Sequence, residues 1–191
     1  MAKRWDGYGG TFANKFDLKT FELNPTLSYR FCDYFSFAAG ARILYGKLAV
    51  MNNGTLVPPS ITGSRYFDGD TVEYGWNAAL SFKPNEESNI SVTYRSYIEA
   101  EFEGDSIMST SPPIYPGSSV TTSADLVGPA PAVLAVSGAY DFGKWKVEFT
   151  VDRTFWSEYE DLDFEHSPPL VNPILFSAFD APEDRSWDDV N

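Results

Sequence analysis

The sequence predicts an all-β fold: a partial antiparallel up-and-down transmembrane β-barrel of about six full strands plus the start of a seventh. Three observations carry that expectation. Apolar and polar residues alternate singly over stretches longer than the roughly 5–6 residues of an ordinary strand, close to the roughly 9–11 that a tilted strand needs to cross a bilayer. The connections run short, long, short, long, as the short periplasmic turns and long outer loops of bacterial outer-membrane barrels do. No apolar run is long enough to cross a membrane as a helix.

Taken in order, Trp5 to Asp17 is rich in glycine and aromatics and reads as a loop or a frayed strand end. Lys19 to Phe31 is the first full strand. Phe21, Leu23, Leu27, Tyr29 and Phe31 fall on one face, and Glu22, Asn24, Thr26, Ser28 and Arg30 on the other, because successive side chains of a strand point to opposite sides. Pro25 removes a ladder donor and predicts an edge, a bulge or a kink. Cys32, Asp33 and Tyr34 turn the chain into a second strand, Phe35 to Lys47, with Leu44 an apolar exception on its polar face.

Met51 to Asp70 carries Asn52-Asn53-Gly54, Pro58-Pro59 and Asp68-Gly69-Asp70, all turn chemistry, and reads as a long loop. The third strand, Thr71 to Lys83, and the fourth, Asn89 to Phe102, are joined by the short acidic turn Pro84 to Ser88. In the fourth, Ile90, Val92, Tyr94, Ile98 and Phe102 are assigned outward, and Arg95, Tyr97, Glu99 and Glu101 inward. Gly104 to about Pro129 is dense in Ser, Thr, Pro and Gly and reads as a second loop. Pro131 to Phe142 and Trp145 to Trp156 are the fifth and sixth strands, turned at Gly143-Lys144. The rhythm then slips near Asp161, where a bulge carries the strand to Phe164. A third loop holds Pro168 to Phe176, and Ser186 to Val190 opens another strand.

Composition agrees and narrows the function. Of the 191 residues 43% are hydrophobic and only 21% charged, which an every-other-residue apolar face reconciles with spanning a membrane. The aromatic fraction of 16% suits interfacial girdles. A net charge of −13 excludes nucleic acid as a partner, since phosphate neutralisation needs clustered Lys and Arg. Cys32 is the lone cysteine, so there is no disulfide framework. The acid pairs Asp68/Asp70 and Asp161/Asp163 match no EF-hand loop, and no metal or cofactor is expected. His166 is the sole histidine and no Gly-x-Ser-x-Gly accompanies it, so no enzyme chemistry is expected.

Several segments, in order, resemble the FadL/TodX-type outer-membrane transporters of long-chain fatty acids and other hydrophobic compounds. LNPTLSYRFCDYFSFAAGARILYGKL is similar to the family's "AYR" strand, short turn and "WSFGLG…VY" strand. YGWNAALSFKPNEESNISVTYRSYIEAEFEGD is similar to its "GWNAG" strand, acidic turn and "TYRS" strand. PAVLAVSGAYDFGKWKVEFTVDRTFWSEYEDL resembles the strand pair that ends in a "W-S" segment, here Trp156-Ser157. Six strands are too few to close a barrel, the smallest bacterial ones having about eight. The resemblance therefore implies that residues 1–191 are the central section of one barrel, without the N-terminal hatch, signal peptide and C-terminal strands, and monomeric when full length.

The same resemblance implies a long-chain fatty acid or other hydrophobic small molecule as ligand, with outer-membrane lipid and lipopolysaccharide around the wall and the cell outer membrane as location. Some members place a basic residue past the second strand to meet a carboxylate; the matching Val50-Met51-Asn52 has none. Arg30, Arg42, Arg95, Glu73, Glu99, Glu101, Lys146, Glu148 and Asp152 fall on the polar face, where pairing across strands is their plainer role. Arg42 and Arg95 are the carboxylate candidates because a guanidinium offers a bidentate fork. Leu44, Tyr97 and Trp156 are candidates for the apolar path. Met51, Leu56, Val57, Ile61, Leu170, Val171, Ile174, Leu175 and Phe176 are candidates for an outer capture groove. The rival readings are a non-specific porin or structural barrel and a soluble secreted β-sandwich that binds carbohydrate.

Overall fold

Alternation over the long segments produces one extended antiparallel sheet. The computed structural model describes residues 2–4, 14–57, 61–113, 118–156 and 164–179. Its strands are β1 (Ala2–Arg4), β2 (Lys15–Leu23), β3 (Thr26–Arg30), β4 (Phe35–Val57), β5 (Ile61–Phe82), β6 (Ser88–Arg95), β7 (Glu101–Ser111), β8 (Ser119–Val127), β9 (Val133–Asp141), β10 (Lys146–Thr154) and β11 (Phe164–Ser167). One helix follows, α1 (Pro173–Phe179). Every pairing is antiparallel between successive passes of the chain, the order of an up-and-down wall. Among the described residues β10 does not pair back to β1, so the wall is open.

Ten of the eleven strands, β2 to β11, make six long passes, and β1 is a short strand antiparallel to β2. β2 and β3 are one strand interrupted at Asn24-Pro25, and both keep the same register against β4. The proline cannot donate, but its carbonyl still accepts from the Ala41 amide at 3.1 Å, so the interruption is a kink without an inserted residue. β6 continues into β7, and β8 into β9, through a short irregular stretch held by the Ile98–Ala130 bridge. The lower turn between β9 and β10 is tight because Gly143 adopts φ +84° and its amide donates to Asp141 Oδ1 at 2.7 Å.

β4 and β5, at 23 and 22 residues, are about twice the length a bilayer crossing requires. This corrects the loop reading of Met51 to Asp70: Asn53 pairs with Ser64, Gly54 with Gly63, and Asp68 with Asp105. Gly104 to Pro129 likewise holds most of β7 and β8. Their turn-forming residues are drawn into strands because each is paired on at least one side; Asn53 and Asp70 are exposed, whereas Asn52, Ser106, Thr110 and Thr122 are buried. β11 places Phe164 in a strand, and the segment read as a third loop contains α1. Residues 157–163 and the strand start at Ser186 to Val190 lie outside the described residues.

A second correction concerns facing. Arg95 pairs with Asn77 while Glu103 pairs with Asp70, so β6 and β7 carry one residue more than β5 over the same rise. One extra residue reverses parity. Ile90 and Val92 are exposed on the outer face, but Ile98 and Phe102, assigned outward from the sequence, are 2% and 3% exposed in the core. Glu99 and Glu101, assigned inward, are exposed.

The outward face carries a belt of exposed apolar side chains, among them Phe21, Phe37, Tyr74, Trp76, Val92, Val136 and Phe149. It follows β4 from Phe35 to Tyr45 and β5 from Val72 to Phe82, and it continues over β3, β6, β9 and β10. Water would be a poor partner for so much apolar surface, and hydrocarbon is the solvent that suits it.

Candidate functional site

The inward face changes character with height. At its lowest level it is polar: Asn24 Oδ1 accepts from Asn77 Nδ2 at 2.7 Å and from Thr26 Oγ1 at 3.1 Å. These residues reach across Gly40, where a Cβ would lie 2.5 Å from Thr26 Oγ1 and 2.7 Å from Asn77 Oδ1. Ser81 donates to Asn89 Oδ1, and Ser137 and Thr150 share a hydrogen bond, extending the polar level to β10.

Above it lies a charged level. Arg42 Nε and Nη2 donate to Glu22 Oε1 and Oε2, both at 3.0 Å, and Nη1 donates to the Ser96 carbonyl at 2.7 Å. Arg95 Nη2 is 2.9 Å from each Glu22 oxygen. Gly75, directly opposite Arg42 in the ladder, leaves room for this reach, since a Cβ there would meet Ile98 Cγ1 at 2.7 Å and Ser96 Oγ at 2.8 Å. Arg42 is 4% exposed and its charge is tied down by a fork on one side and a carbonyl on the other. One carboxylate thus serves two guanidinium groups.

Higher still the face is apolar. Leu44, Leu48 and Val50 from β4, Phe67 from β5, Phe102 from β7, and Ala124 and Leu126 from β8 pack into one buried cluster with Ile98 and Ala100. Phe164 of β11 meets Phe67 edge to face at 5.3 Å. Each large member contributes about 1.5–3 kcal/mol by leaving water. Sequence reading found only Leu44 of this set. The signal for the rest was the alternation Leu48, Val50 carried past Lys47, which the turn-forming residues beyond it obscured.

Helix α1 caps the top. Asn172 Oδ1 accepts from the amides of Ile174 and Leu175, at 3.0 and 3.4 Å, and Pro173 follows as the first helical residue. That Asn-Pro pair was a legible start signal. Leu175, Phe179 and Leu170 pack with Met108 in a second buried cluster that Leu56 joins. Arg65 fastens the helix to the sheet: Nη1 donates to the Phe179 carbonyl at 3.2 Å, Nη2 to Asn52 Oδ1 at 3.3 Å, and the guanidinium lies 3.7 Å from the Phe164 ring centroid. The Val50-Met51-Asn52 stretch has no cation of its own, and β5 brings this one to Asn52.

The candidates therefore separate. Arg42 and Leu44 are buried inward, and Arg95 joins them through Glu22. Tyr97 is half-buried between the buried Ser96 and Ile98. Trp156 stands 37% exposed past the end of β10. The groove candidates do not form one surface. Leu56, Leu170 and Leu175 pack into the second cluster and Ile174 is half-buried, whereas Met51, Val171 and Phe176 are exposed. The side chain of Val57 lies outside the described residues.

Outside and above the belt the wall is acidic. Asp70, Glu103, Asp125 and Glu165 follow one another as direct cross-strand partners, and Lys47, opposite Asp70, holds Asp68 at 3.2 Å. The hydrogen bond and charge of Asp68 raise the Lys47 ammonium above its usual value. Desolvation at the sheet surface, then the carboxylates of Asp125 and Glu103, push Glu101 up.

Comparison with known proteins decides the family. Residues 3–189 match the family model described as outer membrane protein transport protein (OMPP1/FadL/TodX). The chain belongs to the OMPP1/FadL/TodX family. Its location is the outer membrane. A long-chain fatty acid transport protein of Escherichia coli O6:H1 is 25% identical over 190 residues, covering 82% of this chain and 43% of that protein. Outer membrane protein P1 of Haemophilus influenzae is 23% identical over 188 residues, covering 83% and 40%.

The fold of this family member superposes on a Pseudomonas aeruginosa FadL homologue with a TM-score of 0.81 at 19% identity, over 99% of this chain and 48% of the other. It superposes on the Ralstonia pickettii toluene transporter TbuX with a TM-score of 0.70 at 14% identity, over 92% and 50%. The chain spans about half the length of the relatives it matches. The wall is thus that of a partial barrel of the FadL/TodX kind, and the Escherichia coli and Ralstonia pickettii relatives are named as transporters.

Proposed function

We propose that this chain is the central section of one outer-membrane barrel that admits hydrophobic molecules to the cell, with long-chain fatty acids as the principal ligand. The observation that carries the reading is the apolar cluster on the inward face, built from β4, β5, β7 and β8. A water-filled porin keeps that side polar, whereas a greasy ligand needs apolar side chains with few polar groups among them. The neighbours include both fatty-acid and toluene transporters. A long apolar strip that ends at a charged level matches an amphiphile better than a small aromatic ring. No covalent chemistry is required of any residue.

In this mechanism the ligand enters at the outer end of the wall, passes along the apolar strip, and meets the Glu22/Arg42/Arg95 level lower down. The barrel acts as a monomer, its apolar belt in outer-membrane lipid and its acidic upper wall among lipopolysaccharide headgroups. Deleting the gene in the source bacterium tests the reading. Growth on oleate and uptake of labelled oleate should fall while uptake of small sugars stays the same; unchanged oleate uptake would sink it.

A further inference from the structure

The outer end of the inward face is covered. Phe67 of β5 and Ser106 and Met108 of β7 are 0% exposed, although the wall they belong to is open on its far side. What covers them is the segment that runs from β11 into α1. Phe164 lies edge to face on Phe67, the Pro168 carbonyl accepts from Thr122 Oγ1 at 3.3 Å, and Leu170, Leu175 and Phe179 pack with Met108. Thr122 is the ladder partner of Ser106. By the two-residue period, Leu56, Met108 and Val120 stand above Val50, Phe102 and Ala124 on the same side of β4, β7 and β8. The segment therefore lies across the top of the apolar strip.

This cover is held by few contacts. α1 has seven residues, too few to persist as a helix away from its seat. Arg65 fastens both ends of the segment at once: it donates to the Phe179 carbonyl at 3.2 Å while its guanidinium lies on the Phe164 ring. Beneath the segment, Ser106 Oγ has no hydrogen-bond partner among the described residues. The closed arrangement thus keeps dry a hydroxyl that water would satisfy on opening. A latch that favours closure is set against a buried hydroxyl that opposes it.

We propose that residues 164–179 form a lid over the outer end of the apolar strip, that a hydrophobic ligand enters and leaves when α1 lifts from Met108, and that Arg65 is the latch that sets how often it lifts. Arg65 is a positioning residue and makes no contact with the ligand. This rests on the reading of the chain as a passage for hydrophobic molecules.

The test follows a thiol placed under the lid, in the protein in detergent micelles. In a Cys32→Ser background, Met108→Cys is labelled with a polar maleimide, and Ile107→Cys, at a position 49% exposed on the other face, is the uncovered reference. Association and dissociation of radiolabelled oleate are measured on the same proteins before labelling, and far-UV circular dichroism monitors the sheet. The covered thiol should react about tenfold or more slowly than the reference. Adding Arg65→Gln should speed its labelling, and oleate association and dissociation with it, by about tenfold, with oleate affinity changed less than about twofold. Adding Ser106→Ala, which removes the dry hydroxyl and keeps the latch, should slow all three by about fivefold. If Arg65→Gln loses its sheet signal, Ser106→Ala alone decides. A covered thiol that reacts as fast as the reference, labelling that neither variant shifts, or oleate exchange that does not follow the labelling overturns the lid and leaves hydrophobic binding intact. An altered oleate affinity in Arg65→Gln makes that arginine a ligand contact and overturns its role as latch. Wild-type protein that binds no oleate overturns the underlying reading and the proposal with it.

Discussion

Arg42 and Glu22 meet fork to fork across the ladder of β2 and β4, with both hydrogen bonds 3.0 Å long, and the third nitrogen of the same guanidinium closes on Ser96 O at 2.7 Å. Three passes of the wall are joined at that point. The join lies where β6 gives way to the irregular stretch, and it holds the wall where the ladder between β5 and the next pass is interrupted.

Arg42→Met removes the buried partner and leaves a carboxylate and a carbonyl without it. The expected cost is about 2–4 kcal/mol, the lower end reflecting the partial exposure of Glu22 and its remaining bond to Arg95. Arg42→Lys should recover less than half of this, because an ammonium cannot reproduce the fork. Urea unfolding of the protein in micelles measures both, and equal stability of Arg42→Met and wild type would show the cluster to be energetically idle.

Gly75→Ala places a methyl group where Ile98 and Ser96 already sit, with contacts of 2.7 and 2.8 Å. Overpacking of that kind costs about 1–3 kcal/mol. Gly138 supplies the control: it is a strand glycine with nothing within 4 Å of its ideal Cβ. Gly138→Ala should therefore be neutral or slightly stabilising. If both substitutions unfold at the same urea concentration, the close approach at Gly75 is not what constrains the bulge.

Asn172→Ala removes the side-chain oxygen that accepts from the first amides of α1. A lost cap costs about 1 kcal/mol, and in a seven-residue helix fastened at one end by Arg65 the loss should stay local. Hydrogen exchange at the Ile174 and Leu175 amides should accelerate about fivefold, with strand amides of β4 unchanged. Uniform acceleration throughout would mean that the helix and sheet open together.

Strand number, direction and the lipid face were legible because alternation is a direct consequence of strand geometry, and the belt from Phe35 to Tyr45 obeys it without exception on its outward side. The upper wall was hidden because Asn52-Asn53-Gly54 and Asp68-Gly69-Asp70 are turn chemistry in isolation and become strand only by pairing, which no local signal announces. The parity reversal after Arg95 needed the register against β5, and so Ile98 and Phe102 were placed on the wrong side. Arg42 and Arg95 were picked by chemistry. Their link through Glu22 depends on which strands are neighbours and on the space left at Gly75.

The acidic upper wall should make stability depend on pH in an unusual direction. Glu101 opens β7 at the upper edge of the apolar belt, and desolvation together with Asp125 and Glu103 raises its carboxyl above the unfolded value. A group raised in the folded state favours folding while protonated. That contribution is present below the unfolded value of about 4.3 and is lost as pH rises through the folded one. Glutamine cannot ionise, so Glu101→Gln should equal the wild type near pH 4 and become the more stable of the two by pH 7. Salt should shrink the gap only in part, since it screens the neighbouring carboxylates but does not restore lost hydration. Urea midpoints at the two pH values and at two salt concentrations measure this, and a gap that is the same at pH 4 and pH 7 would remove Glu101 as its source.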